Sequence, residues 1–258
     1  MESDRDFLRK KNEELKAKTI ANLKENAPVG IKDALVGMME RVAVDEIPRP
    51  RTPGTSGRRG VVENIPRLFL EDDMGDSRKP ILRVPDQVTR AAVELNQETI
   101  AWHDNKSAFP GWLIHGPYGV GKSGVAIEVM RFASRQYGCR CRFEKVQALL
   151  SRVKETFSDD SGMKEREVVA FYTGYDILMI DEVGAQWATE AERNILYWIV
   201  VGRYEALRPT IFTTNYDPGA TDGRHQLTEC LGSRVIARFK ENLVDAGKWG
   251  GNLRDRSK

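Results

Sequence analysis

Gly116-Pro117-Tyr118-Gly119-Val120-Gly121-Lys122-Ser123 fits the spacing G-x-x-x-x-G-K-[ST], and the rest of the 258-residue chain is best read outward from it. The flanks are those the spacing requires. Ahead of it, Trp112-Leu113-Ile114-His115 is a short apolar run that reads as a buried strand; behind it, residues 124–133 carry apolar side chains at helical spacing. Glycines let the backbone curl so that successive N–H groups point inward, and the following helix offers its positive end. Such a loop cradles phosphate oxygens. Lys122 is placed to reach the β- and γ-phosphates of a nucleoside triphosphate, and the Ser123 hydroxyl to ligate Mg2+.

A second half of the same site is legible downstream. In Asp176-Ile177-Leu178-Met179-Ile180-Asp181-Glu182, four apolar residues end in two acids. The run reads as a central parallel strand, whose C-terminal edge is where such sheets place ligands. Asp181 is expected to hold Mg2+ through water, and Glu182 to orient or deprotonate an attacking water. Acids at a strand end can be merely solvated, but the intact phosphate loop upstream gives these a use. After Pro209, Thr210-Ile211-Phe212-Thr213-Thr214-Asn215 reads as another strand ending in an amide, with Asn215 available to the lytic water or the γ-phosphate. No N-K-x-D base-reading motif follows, so the expected nucleotide is ATP rather than GTP.

Composition sets the outer bounds. With 40% hydrophobic and 30% charged residues, the chain can bury a core. Its formal net charge of +2 carries no case for nucleic acid, which must rest on local patches. Three cysteines (Cys139, Cys141, Cys230) make no disulfide framework and suit a reducing compartment. Cys139 and Cys141 alternate along a probable strand and read as core. No apolar run approaches the roughly 18 residues of a membrane span, and the first residues lack a signal-peptide pattern, so a cytoplasmic location is expected.

Residues 5–26 and 31–42 read as two small helices that either pack on the body or dock onto a partner. Pro48-Arg49-Pro50-Arg51-Thr52-Pro53-Gly54-Thr55-Ser56-Gly57-Arg58-Arg59-Gly60 breaks every periodicity and reads as a linker. The expected division is a helical partner-binding module at 1–47, a Pro/Gly/Arg linker at 48–60 and a nucleotide-binding domain at 61–258. Within that domain, helices are expected at 88–103, 146–157, 165–172, 191–207 and 227–243, and a strand at 139–144. Residues 217–226 read as a polar surface loop and 247–258 as a tail. The helix at 227–243 places Arg234 and Arg238 one turn apart on one face.

Taken together, 116–123, ILMIDEVG at 177–184, Arg203-Tyr204, PTIFTTN at 209–215, LGSRVIARF at 231–239 and Asn252-Leu253-Arg254 resemble the DnaC/IstB-like AAA+ ATPases. This family includes bacterial and phage replicative helicase loaders and the ATPase helpers of certain transposases. The match runs over about 80–258 in the family's order. The resemblance implies an α/β fold, a three-layer P-loop NTPase sandwich with a central, mostly parallel sheet and no large lid, plus the small helical N-terminal module. It implies that Asn215 senses the γ-phosphate and that one or both of Arg234 and Arg238 reach a neighbouring subunit's ATP, with Arg238 favoured as the finger. It implies that Arg254 is a C-terminal sensor arginine on the nucleotide. Many members carry Asp-Asp where this chain has Asp181-Glu182, and the 217–226 loop reads as longer than usual.

The implied function is ATP-dependent loading of a replicative DNA helicase onto single-stranded DNA, with ATP and Mg2+ as cofactors and hydrolysis in a homo-oligomer. The helicase would be met through 1–47, and the DNA through its backbone, with Lys145, Arg152 and Lys154 as candidate contacts. The alternative is a transposition helper that coats DNA and recruits a transposase. A non-enzymatic adaptor with a degenerate site is a third class, against which Lys122, Ser123, Asp181, Glu182 and Asn215 all stand.

Overall fold

Runs such as Ile177-Leu178-Met179-Ile180 have no polar alternation, so a strand made from them must be covered on both faces. The computed structural model meets that requirement. It describes residues 60–66, 69, 86–104, 111–156, 165–184, 188–239 and 242–253, together with Ala17. The chain divides into two units, Met1–Arg49 and Pro50–Lys258, and the fold below is that of the second. The helices expected at 5–26 and 31–42 and the linker at 48–60 lie outside the described residues, apart from Ala17 and Gly60, as does Arg254.

The strands are β1 (Val61–Glu63), β2 (Gly111–His115), β3 (Arg140–Lys145), β4 (Ile177–Asp181), β5 (Thr210–Thr214) and β6 (Leu243–Asp245). They form one sheet in the order β1-β3-β4-β5-β2-β6, with every pair parallel. Helices α1 (Asp86–His103) and α2 (Lys122–Tyr137) pack on one face against Trp112, Ile114, Cys141, Phe143, Ile177, Met179 and Ile211. By the two-residue alternation of strands, Leu113, Leu178, Ile180 and Phe212 turn to the opposite face. That side is covered by α3 (Val146–Glu155), α4 (Glu165–Thr173), α5 (Glu190–Glu205), α6 (Thr221–Leu231) and α7 (Ser233–Arg238). The result is the expected three-layer α/β sandwich. No helix among the described residues is long and apolar enough to cross a membrane.

The helices begin where local chemistry allows. At the start of α5, the Thr189 hydroxyl accepts from Glu192 N–H, and the Glu192 carboxylate accepts from Thr189 N–H. This reciprocal cap satisfies two backbone donors that the first turn would otherwise leave open. Cys139 and Cys141 are buried, and burial pushes the Cys139 thiol up to about 12, so neither is poised for thiolate chemistry.

Two expectations are corrected. The stretch 217–226 is not a surface loop throughout, because α6 starts at Thr221. The helix expected over 227–243 is broken at Gly232, whose φ of 79° no right-handed helical residue adopts, and ends at Arg238; Leu243 instead opens edge strand β6. Strand β1 was not foreseen either; Val61-Val62-Glu63 is short and gains strand character only from pairing with Arg140, Cys141 and Arg142.

Arg203 ties this half of the fold together. It is 0% exposed and donates to Thr210 Oγ1 and to the carbonyls of Tyr172, Tyr175, Asp176 and Pro209. Those acceptors belong to the end of α4, the approach to β4 and the start of β5. Burial pulls the guanidinium pKa down, while the five acceptors favour the charged form. Pro209 O would keep its bond from Leu178 N–H, but Arg203→Leu should leave the other acceptors without this donor and cost roughly 3–5 kcal/mol, because each orphaned buried acceptor costs about 1–3 kcal/mol and some rehydrate. Urea denaturation measures it.

Candidate nucleotide site

Three strand ends meet at the carboxyl edge of the sheet. β2 and β5 are neighbours with His115 opposite Thr214, and β5 and β4 are neighbours with Phe212 opposite Ile180. This register brings the glycine loop after β2, Asp181-Glu182 at the end of β4 and Asn215 after β5 into one place. The loop glycines Gly116, Gly119 and Gly121 have φ of 140°, 81° and 97°. Gly121 then caps α2 without any side-chain bond, leaving the first-turn N–H groups directed at the loop.

Lys122 is buried. Its ammonium donates to Gly116 O at 2.8 Å, Pro117 O at 2.7 Å and Asn215 Oδ1 at 2.7 Å. Loop and β5 are thus joined by the residue whose charge the site needs. With its carbonyl oxygen on Lys122, the Asn215 amide keeps its NH2 group as a donor for a phosphate or a water.

Ser123 Oγ donates to Asp181 Oδ1 at 2.8 Å, and Thr213 Oγ1 donates to the same oxygen. Burial pushes the Asp181 carboxyl above its ordinary range, opposed by the hydrogen bonds from Thr213 and Ser123. A serine hydroxyl beside a carboxylate is a pair of hard oxygen donors. The donor chemistry therefore fits Mg2+.

Glu182 stands in the left-handed region at φ 61°, a conformation that costs a non-glycine residue about 1–2 kcal/mol. Hydrogen bonds hold it there: Glu182 N–H donates to Thr213 Oγ1 at 3.2 Å, and Val183 N–H to Thr213 O at 2.8 Å. The chain therefore turns sharply out of β4, leaving Asp181 buried and Glu182 half-exposed. The Glu182 carboxylate meets Lys145 Nζ at 2.9 Å, a contact that raises the lysine pKa. Strained backbone of this kind concentrates at working sites.

The chain after β6 closes over the loop. Leu253 N–H donates to Gly119 O at 2.9 Å, and Gln87 Nε2 donates to Val120 O at 3.0 Å and Gly251 O at 3.2 Å. A cavity of about 600 Å³ adjoins Gln87 and is lined also by Ala91, Val244, Asp245 and Trp249.

Arg234 and Arg238 are not joined to this cluster. Both lie on α7 over tyrosine rings of α5. The candidate DNA contacts are engaged inside the fold: Lys145 with Glu182, Lys154 with Glu192 at 3.1 Å, and Arg152 over the Phe171 ring.

A loop lysine, a serine–aspartate pair and a strand-end asparagine converging on one sheet edge invite comparison with known proteins. The family model for IstB-like ATP binding proteins matches residues 90–238. The chain belongs to this family. It is 33% identical over 95 residues to the replicative helicase loader DnaC of Escherichia coli (strain K12), covering 37% of this chain and 36% of that protein. It is 32% identical over 137 residues to a protein of Mycobacterium tuberculosis (strain ATCC 25618 / H37Rv) named for ATP binding and for its place in an insertion sequence, covering 52% of this chain and 53% of that protein. The chain thus spans about a third and about half of those relatives' lengths. A crystal structure of DnaI superposes with a TM-score of 0.50 at 19% identity, covering 71% of this chain and 95% of that one, which shows a shared α/β fold. Family membership and fold agree with the resemblance read from the motifs.

Two members of the cluster escaped the sequence reading. Thr213 joins both acids through one hydroxyl, and Lys145 holds Glu182. The signal for Thr213 was present: a hydroxyl in a fully buried strand needs a partner. For Lys145 there was none, since its contact depends on pairing β3 beside β4.

A Cβ added at Gly119 would stand 1.9 Å from Asn252 Oδ1. Gly119→Ala should therefore displace the Asn252 side chain and, with φ at 81°, strain the loop where Leu253 is bonded. The expected readout is faster amide hydrogen exchange at Leu253, whose N–H bonds Gly119 O, with exchange at the β4 amides unchanged.

Proposed function

We propose that the chain is an ATPase that loads a replicative DNA helicase onto single-stranded DNA. The observation that carries the ATPase part is the convergence of Lys122, Ser123, Asp181 and Asn215 at one sheet edge. On this reading the loop N–H groups and Lys122 bind the β- and γ-phosphates; a phosphate oxygen, being charged, forms a stronger contact with the ammonium than a loop carbonyl does. Ser123 Oγ and Asp181 would hold Mg2+, which would supply neutralisation of phosphate charge when bound. Glu182 orients the attacking water and accepts its proton, and Asn215 donates to the γ-phosphate. Arg238, assisted by Arg234, acts on the ATP of a neighbouring copy, and Arg254 serves as the C-terminal sensor.

The loader part rests on relatives named as replicative helicase loaders. The proposed partners are the helicase, met through a helical module at 1–47 carried by the 48–60 linker, and single-stranded DNA. A second reading has its own observation. The matching family model is that of IstB-like ATP binding proteins, and one relative, matched over 137 residues, is named for its place in an insertion sequence. In that reading the same ATPase coats DNA and recruits a transposase.

Lys122→Ala should lower ATP turnover by roughly two orders of magnitude or more, as loss of a major charge-stabilising donor does; normal turnover would sink the site assignment. With the full-length protein, ATP-dependent stimulation of a hexameric replicative helicase on a single-stranded circle supports loading. ATP-dependent coating of duplex DNA and capture of a transposase, without such stimulation, supports the second reading.

The Asp181 carboxyl, raised by burial, must be ionised to hold Mg2+, so turnover should fall as pH drops through its pKa. Thr213→Val removes a hydrogen bond that lowers that pKa. The acid limb of a pH–turnover profile should therefore move to higher pH, with a higher Mg2+ requirement.

A further inference from the structure

Arg234 and Arg238 have an unusual setting for surface cations. Among the described residues neither forms an ion pair with a carboxylate. Instead the Arg238 guanidinium carbon lies 5.5 Å from the ring centre of Tyr197 and 5.6 Å from that of Tyr204, and the Arg234 carbon lies 5.8 Å from Tyr197. Arg238 also donates to Arg234 O at 2.8 Å. Two like charges thus share one ring, and one of them is flanked by a second ring a further two helical turns along α5.

Helix α7 alone cannot fix these side chains. It has 6 residues and follows a break at Gly232. Its anchor is apolar: Val235 is 1% exposed, and Phe239, just after the helix, is 2% exposed with its ring edge-on to Phe212 at 5.1 Å. The anchor sets the helix, and the rings on α5 set the arginines. A carboxylate would hold an arginine as firmly but would neutralise it, and an incoming anion would have to displace it. A ring face holds the cation and leaves both its charge and its N–H edge available.

We propose that Tyr197 and Tyr204 are positioning residues that hold Arg238, and through the shared ring Arg234, in readiness for the terminal phosphates of ATP bound by a second copy of this chain. The proposal rests on the reading of these arginines as acting in trans.

The test compares full-length wild type, Y197L/Y204L, Y197F/Y204F and R238A for turnover at saturating ATP and for equilibrium binding of a fluorescent ATP analogue. Removing both ring faces should lower kcat about tenfold, two cation–π contacts' worth, with analogue affinity unchanged. The phenylalanine variant keeps the faces and should recover most of kcat. The proposal is overturned if the leucine variant keeps kcat while R238A loses it. It is equally overturned if the phenylalanine variant is as slow as the leucine one, or if analogue affinity falls in step with kcat, which marks a structural effect. Normal turnover by R238A, whether or not that variant binds DNA less well, instead removes the trans-arginine reading beneath it.

Discussion

A carboxylate drawn out of water has to be met by hydrogen bonds, and Asp181 is the carboxylate on which this site turns. Ser123 arrives from the first turn of α2 and Thr213 from β5, and both donate to the same oxygen. The strand order β4-β5-β2 makes the meeting possible, because only β5 stands between the strand that ends in the acid and the strand that leads into the loop. The same Thr213 hydroxyl accepts from Glu182 N–H, so the turn that separates the two acids depends on the oxygen that satisfies the first of them. Asp181 is buried and Glu182 half-exposed, adjacent residues in unlike surroundings. On the proposed reading, one is a metal ligand and the other a proton acceptor, roles that need that difference.

Behind the edge, the fold spends its buried polar groups on rigidity. Arg203 reaches carbonyls from three segments, and Arg142 and Glu144 pair at 2.8 Å with Tyr172 donating to the same carboxylate. Buried charges of this kind contribute little net stability but are costly to disrupt. They fix the starts of β4 and β5, and hence the level at which those strands end in Asp181 and Asn215.

Much of this was legible in the sequence, for identifiable reasons. A glycine loop between an apolar run and a helical period, an apolar run ending in two acids, and PTIFTTN each carry a local signal, and each lies where that signal places it. The central strands were readable because burial on both faces removes polar alternation. Element ends within 217–243 were misread because the signals there are not local. α6 begins in a polar stretch, Gly232 breaks what looks like one period, and Val244 enters the sheet only because Ile114 lies beside it. The Lys145–Glu182 contact was not legible, because a lysine at a strand end reveals nothing of the acid on the neighbouring strand.

On the proposed reading, the phosphate loop is half of a site whose other half, Arg238 on its tyrosine rings, belongs to a neighbouring copy. The most direct measurement is complementation between two inactive full-length variants: Lys122→Ala, which keeps its arginines but not its nucleotide, and Arg238→Ala, which keeps its nucleotide but not its finger. Turnover by the mixture well above the sum of the separate variants, with wild-type turnover per subunit rising with protein concentration, is the predicted result. A mixture no more active than its parts, with wild-type turnover per subunit independent of concentration, would contradict it.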